Sequence, residues 1–282
     1  MSAKNSAPPN KPVSKPAANA ARTLKFKLTI AYDGAAYQGW QAQRVGTGVQ
    51  ELVEAGLAKL FPSRPRLIGS SRTDTGVHAL GLVAHFSLPR AEFRMPVRRL
   101  ALAINATLPA DIRVMRAGRA VDNFQARFDA TGKQYRYRVW NSPTMNPLLR
   151  AYAWHVPQPL DLSAMRAAAK RLVGRHDFRS FTANRGVPLA DAVRTLRRCD
   201  IKRSGAQLTF VIEGDGFLYK MCRGIVGTLV QIGYGRFPAS EIKTMLARKS
   251  RDAAGMNAPA CGLVLWRVFY RPRQSRSRPT QD

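Results

Sequence analysis

The chain has 282 residues, with 46 lysines and arginines against 17 aspartates and glutamates, giving a formal net charge of +29. That length can bury a sizeable core in about two domains, and 45% hydrophobic residues exclude a disordered chain. Three dispersed cysteines (Cys199, Cys222, Cys261) argue against a zinc site or disulfide framework, and there is neither a membrane-spanning apolar run nor a secretory signal. The chain therefore reads as soluble and cytoplasmic, and its charge points to a polyanionic partner, nucleic acid first.

Residues 1–23 hold Lys4, Lys11, Lys15 and Arg22 with no acid and are rich in proline and alanine, so they read as a disordered basic tail. From Leu24 to Tyr32 apolar residues alternate with Lys25, Lys27, Thr29 and Ala31, the period of a half-buried strand. A glycine-bearing loop follows, Asp33 to Gln43, and Thr47 with Gln50 forms a capping box for a helix. That helix carries Val49, Leu52, Val53, Leu57 and Leu60 on one face. Short strands are expected at Leu67–Ser70 and Leu82–Leu88, a helix at Val97–Thr107 and a strand at Ile112–Ala117. The order β-α-β-β-α-β is that of a ferredoxin-like unit.

In the second half a strand is expected at Lys133–Trp140, with Tyr135, Tyr137 and Val139 on one face, and a helix at Leu162–Val173. Strands at Leu196–Lys202, Leu208–Ile212 and Leu263–Tyr270 enclose helices near Tyr219–Ile232 and Ala239–Ala247. The expected fold is α+β, with two ferredoxin-like domains, 24–130 and 131–271, whose antiparallel sheets join across a central basic cleft. Residues 272–282 form a second disordered basic tail.

Between the two short strands of the first half lies Gly69-Ser-Ser-Arg-Thr-Asp-Thr-Gly-Val-His-Ala-Leu80. A carboxylate beside a phosphate-binding surface repels its ligand, so Asp74 is there for structure or for chemistry. Taken alone it reads as a turn former or helix cap, with Gly76 permitting the turn and His78 a satisfied structural histidine. Arg127 to Arg138 interleaves cations with aromatic rings, which suits phosphate contact and base stacking, or an ordinary strand with tyrosines inward. Arg223 falls early in a helix, where Gly224 and Gly227 let another backbone approach closely. Clusters at Arg90–Arg99 and Arg194–Lys202 are candidate phosphate contacts.

Seven segments, in order from Leu24 to Tyr270, carry a family resemblance. They are Tyr32-Asp-Gly-x-x-Tyr-x-Gly-Trp-Gln-x-Gln43, Arg72-Thr-Asp-Thr-Gly-Val-His-Ala-Leu80, Leu108-Pro-Ala-Asp-Ile-Arg-Val114 and Phe124-x-Ala-Arg-Phe-Asp-Ala-Thr-Gly-Lys-x-Tyr-Arg-Tyr137. The others are His176-Asp-Phe-x-Ser-Phe181, Phe217-Leu-Tyr-x-Met-x-Arg-x-Ile-Val-Gly227 and Ala258-Pro-Ala-x-Gly-Leu263. Together they resemble the tRNA pseudouridine synthases of the TruA type. The resemblance implies that Asp74 is the catalytic aspartate, that Tyr135 packs on the target base and that Arg223 pairs with the acid. It further implies substrate contacts at Arg72, Gly76, Phe217 and Leu218, tRNA as partner, a homodimer, and neither a metal nor an organic cofactor.

The implied reaction isomerises uridine in the anticodon stem-loop, at tRNA positions 38, 39 and 40. The bond from N1 to the ribose C1′ breaks and C5 joins C1′, so a carboxylate is needed beside the ribose and the base must be flipped out. The chain departs from the family pattern at Ser71, Thr75 and Cys222, where glycine, alanine and valine are usual. None of the three replaces a residue with a chemical role. The alternative reading is a non-catalytic RNA-binding protein or RNA chaperone on the same fold.

Overall fold

The computed structural model describes residues 23–41, 46–183 and 189–271. Residues 1–22 and 272–282 of the two basic tails, and Gln43, lie outside these residues, whereas Thr23, expected in the tail, opens the first strand. One mixed, mostly antiparallel sheet of ten strands organises the chain. The first half comprises β1 (Thr23–Tyr32), α1 (Val49–Leu60), β2 (Ile68–Gly69), β3 (His78–Pro89), α2 (Leu100–Asn105) and β4 (Ile112–Arg119). The second comprises β5 (Ala130–Asn141), β6 (Trp154–Val156), α3 (Leu162–Arg171), β7 (Gly174–Asp177), β8 (Val193–Ser204), β9 (Gln207–Gly214), α4 (Met221–Gly233), α5 (Glu241–Arg248) and β10 (Leu263–Tyr270).

The main strand order is β4-β1-β3-β10-β5-β9-β8-β7, with β2 on β3 and β6 on β5. Each half thus repeats one pattern: β4-β1-β3-β2 in the first, β10-β5-β9-β8 in the second. The last strand joins them. β10 runs parallel to β3 through Val264 with His78 and Leu265 with Ala79, and antiparallel to β5, where Leu265 faces Tyr135.

The alternation expected in β1 is present, with Leu24, Phe26, Leu28, Ile30 and Tyr32 buried. Phe26 stacks on Phe86 of β3, and Phe61, just past α1, closes on the same ring at 6.3 Å. In β5, Tyr135, Tyr137 and Val139 share the buried face, and Tyr137 meets Phe210 of β9 edge-on. Its hydroxyl donates to the Pro259 carbonyl at 2.8 Å.

Several elements differ from expectation. The cap of α1 is Gly48, whose N–H donates to Glu51 Oε2 at 2.9 Å, while Gln50 donates to Glu54 Oε1 and the Leu67 carbonyl. The Val97 helix begins as a 3-10 turn before α2, and β3 starts at His78, earlier than the apolar run at Leu82. Strands β6 and β7 were not expected. The first has three residues, and the second, Gly-Arg-His-Asp, shows no apolar alternation on its edge position.

Helix α4 is nearly wholly buried and touches other backbone through its glycines. A methyl at Gly224 would lie 2.5 Å from the Phe181 carbonyl oxygen, and one at Gly227 only 1.8 Å from that of Met256. Gly227→Ala should therefore cost about 3 kcal/mol in urea unfolding, since fixed backbone gives way poorly. Gly118, with nothing within 4 Å of an added Cβ, should tolerate alanine to within about 0.5 kcal/mol. Equal stability of the two variants would contradict the close approach.

Candidate active site

Asp74 sits in the turn between β2 and β3, and neighbouring backbone holds that turn. Val77 N–H donates to the Asp74 carbonyl at 3.1 Å, and Gly76 takes the left-handed φ of +74° that the turn requires. From the Asp33–Gln41 loop, Trp40 N–H donates to the Thr73 carbonyl at 3.2 Å and the Tyr37 carbonyl accepts Gly76 N–H at 3.3 Å. The approach needs glycine: a Cβ on Gly34 would stand 2.1 Å from the Val77 carbonyl oxygen, and one on Gly39 2.3 Å from that of Thr73. The Tyr32 hydroxyl meets Thr73 Oγ1 at 2.7 Å.

Arg223, in the first turn of α4, reaches this acid from 149 residues away. Its Nη1 lies 3.5 Å from Asp74 Oδ2, a long contact in which charge attraction outweighs hydrogen-bond geometry. Its Nε donates to the Ala258 carbonyl at 2.7 Å, while Ala258 N–H returns to the Arg223 carbonyl at 3.0 Å. The guanidinium is thus fixed by backbone and its remaining edge is turned to the carboxylate. The side chains are 15% and 23% exposed, so both charges are partly withdrawn from water.

Tyr135, on β5, is 7% exposed and has Phe217 edge-on at 5.0 Å between ring centroids. Burial pushes its phenol well above the ordinary value, the neighbouring Cys222 and Asp74 add to this, and a hydrogen bond with Ser71 opposes it. The hydroxyl therefore stays protonated and can donate. Burial likewise pushes the Cys222 thiol far up, which leaves this departure from the family pattern a packed, unreactive thiol.

Asp74 and Tyr135 open into a cleft of about 1260 Å³, which Arg72, Phe217 and Leu218 also line. Among the described residues the lining bears eight cations (Arg72, Arg127, Lys133, Arg179, Arg194, Lys220, Lys249, Arg251) against two acids, Asp74 and Asp252. Gly76 stands outside the lining and serves the turn, and Arg223 acts from behind Asp74. Of the two expected basic clusters, Arg194 alone lines the cleft, and none of Arg90–Arg99 does. Arg179, Lys220, Lys249 and Arg251 were missed. Arg179 and Lys220 are single cations at element ends, and Lys249 and Arg251 belong to a short basic run, Arg248-Lys-Ser-Arg251, that follows α5.

His78 begins β3 behind the turn and is 4% exposed. Its Nδ1 lies 3.0 Å from both the Gly34 nitrogen and Asp33 Oδ1, and its Nε2 lies 3.1 Å from the carbonyl oxygens of Ala151 and Cys261. With both nitrogens engaged it ties three segments together and leaves none free for proton transfer.

A family model described as tRNA pseudouridine synthase matches residues 28–129 and 168–271. The chain is 44% identical over 248 residues to tRNA pseudouridine synthase A of Myxococcus xanthus, covering 88% of this chain and 92% of that one. It is 43% identical over 249 residues to the proteins of that name from Bacillus pumilus (strain SAFR-032) and Bacillus subtilis (strain 168), covering 88% of this chain and 99% of each. With both halves of the sheet matched, the chain belongs to the tRNA pseudouridine synthase family, whose members are isomerases.

Proposed function

We propose that this enzyme converts uridines of the tRNA anticodon stem-loop to pseudouridine, with Asp74 acting on the ribose. The observation that carries the reading is the convergence of Asp74, Tyr135 and Arg223, from three distant segments, at one basic cleft. The target nucleotide leaves its stack, at a cost of a few kcal/mol, and Tyr135 covers a face of the extruded base. Phe217 and Leu218 line the pocket that receives it, and Arg72 meets the RNA beside the turn.

Asp74 then attacks C1′ as a nucleophile or removes a proton at C2′ as a base. Either route cleaves N1–C1′, lets the base turn within the cleft and joins C5 to C1′. The C5 proton leaves, N1 gains one, and no redox change occurs. Arg223 offsets the charge of the acid and fixes its direction. Tyr135, as a protonated phenol, is the group nearest the base that can exchange a proton with it.

The same reading includes a division into domains 24–130 and 131–271, supported by the repeated strand order about β10. A homodimer and a cytoplasmic setting complete it. The family resemblance supports the former. Three unpaired cysteines support the latter. Among the described residues no helix is long and apolar enough to cross a membrane.

Asp74→Ala should abolish pseudouridine formation, mapped in tRNA incubated with the purified protein, while the tRNA Kd changes less than about threefold. Retained activity would remove Asp74 from the chemistry, and lost binding would make it structural. Arg223→Met, which leaves the acid without its counter-charge, should slow single-turnover conversion by about a hundredfold, the scale of a lost electrostatic partner in a dry site. Affinity should also fall steeply with salt. If about five of the cleft cations meet phosphate, Kd rises about a hundredfold between ~50 and ~200 mM salt, whereas a flat dependence would contradict the basic-cleft reading.

A further inference from the structure

Lys133 stands two residues before Tyr135 on β5, hence on the same face and about 7 Å further along the strand. It lines the cleft near Arg127, from the segment before β5, and Arg194, on β8. Its strand neighbours are Gly214 on β9 and Val268 on β10. A Cβ on Gly214 would lie 2.9 Å from the Thr195 carbonyl oxygen, 3.0 Å from Leu196 and 3.4 Å from the Phe217 ring, so β8 and Phe217 close tightly on this end of the strand. Lys133 thus stands beside the edge-on pair Tyr135–Phe217 in the cleft wall.

The charges around Lys133 are one-sided. Arg197, also on β8, spends its Nη2 on the Thr131 carbonyl at 2.7 Å. The nearby acids are engaged elsewhere. Asp215 accepts Thr195 N–H at 3.0 Å, Glu213 accepts from Gln134 on the opposite face, and Asp191 pairs with Arg194 at 3.2 Å. Asp129 takes Gln125 N–H, and Asp74 faces Arg223. Among the described residues, Lys133 has neither a carboxylate nor a hydrogen-bond acceptor of its own. A partly buried ammonium among like charges is costly unless an anion completes the site.

We propose that Lys133, between Arg127 and Arg194, is a positioning residue that takes a backbone phosphate of the RNA next to the target uridine. This rests on the reading of the cleft as a tRNA site and adds which cation locates the extruded nucleotide. Burial first, and then Arg127 and Arg194, push the free Lys133 ammonium down to about 8. A phosphate favours the charged form, so its binding is full below that pH and is lost as pH rises through it.

The test measures the tRNA Kd between pH 6.5 and 9 at fixed ionic strength, with single-turnover conversion at saturating tRNA, for the unaltered protein, Lys133→Met and Lys133→Arg. Affinity of the unaltered protein should drop about tenfold from pH 7 to pH 9. Lys133→Met should be about tenfold weaker at pH 7 and flat in pH, with a salt slope smaller by about one. Lys133→Arg should keep most of the affinity and also be flat in pH. The losses should appear in Kd and not in the rate at saturation. Unchanged affinity and salt slope in Lys133→Met would overturn the proposal, as would a pH step that persists in Lys133→Arg. If the protein bound tRNA in this Lys133-dependent way but made no pseudouridine, the phosphate site would stand and the activity would fall.

Discussion

The pairing of Asp74 with Arg223 depends on backbone meeting backbone at distances that only glycine allows. Arg223 can face Asp74 because α4 lies against the segment carrying Met256 and Ala258, with Gly224 and Gly227 in contact. Asp74 can face Arg223 because the Asp33–Gln41 loop grips the opposite turn through Gly34 and Gly39. Neither group is placed by side-chain packing alone. A charge held in this way keeps its direction, because backbone hydrogen bonds cost little entropy once the fold is formed.

The seam strand explains why these two clasps meet. The segment that receives α4 leads directly into β10, and β10 inserts between β3 and β5. The same stretch of chain thus ends against Asp74's strand on one side and Tyr135's strand on the other. Leu265 faces Ala79 and Tyr135 at once, which puts the strand that follows the Asp74 turn and the strand that carries Tyr135 two strand spacings apart, roughly 10 Å. A nucleotide spans that distance. The cleft is a consequence of strand order.

Much of this was legible in the sequence, for identifiable reasons. The alternation in β1 and in Lys133–Trp140 gave strands because one face of each is buried by residues of period two. The glycines of α4 marked a close approach that exists. Legibility failed where a local signal had no tertiary cause or where a tertiary cause had no local signal. Thr47 and Gln50 have the spacing of a capping box, yet Gly48 caps the helix because Gln50 is drawn to Glu54 and Leu67. Strand β7 forms because β8 offers an edge, although its own residues are polar. The cations of the cleft are the clearest case. Arg179, Lys220 and the Lys249–Arg251 run come together only after folding, whereas the dense run Arg90–Arg99 lies outside the cleft.

That difference bears on how so basic a protein can use a carboxylate. Charge spread over the surface attracts RNA without direction, and screening limits its reach to about 10 Å at 0.1 M salt. Cations gathered from many segments into one concave wall act within that range and hold the backbone in a chosen path. Asp74 would repel that backbone if it stood free among them. Its carboxylate lines the cleft at the end of a fixed turn with Arg223 behind it, 3.5 Å away, so its charge is offset there. On the proposed function the cations would meet phosphate and the acid the ribose of an extruded nucleotide, and the fold, more than any single residue, would keep the two apart.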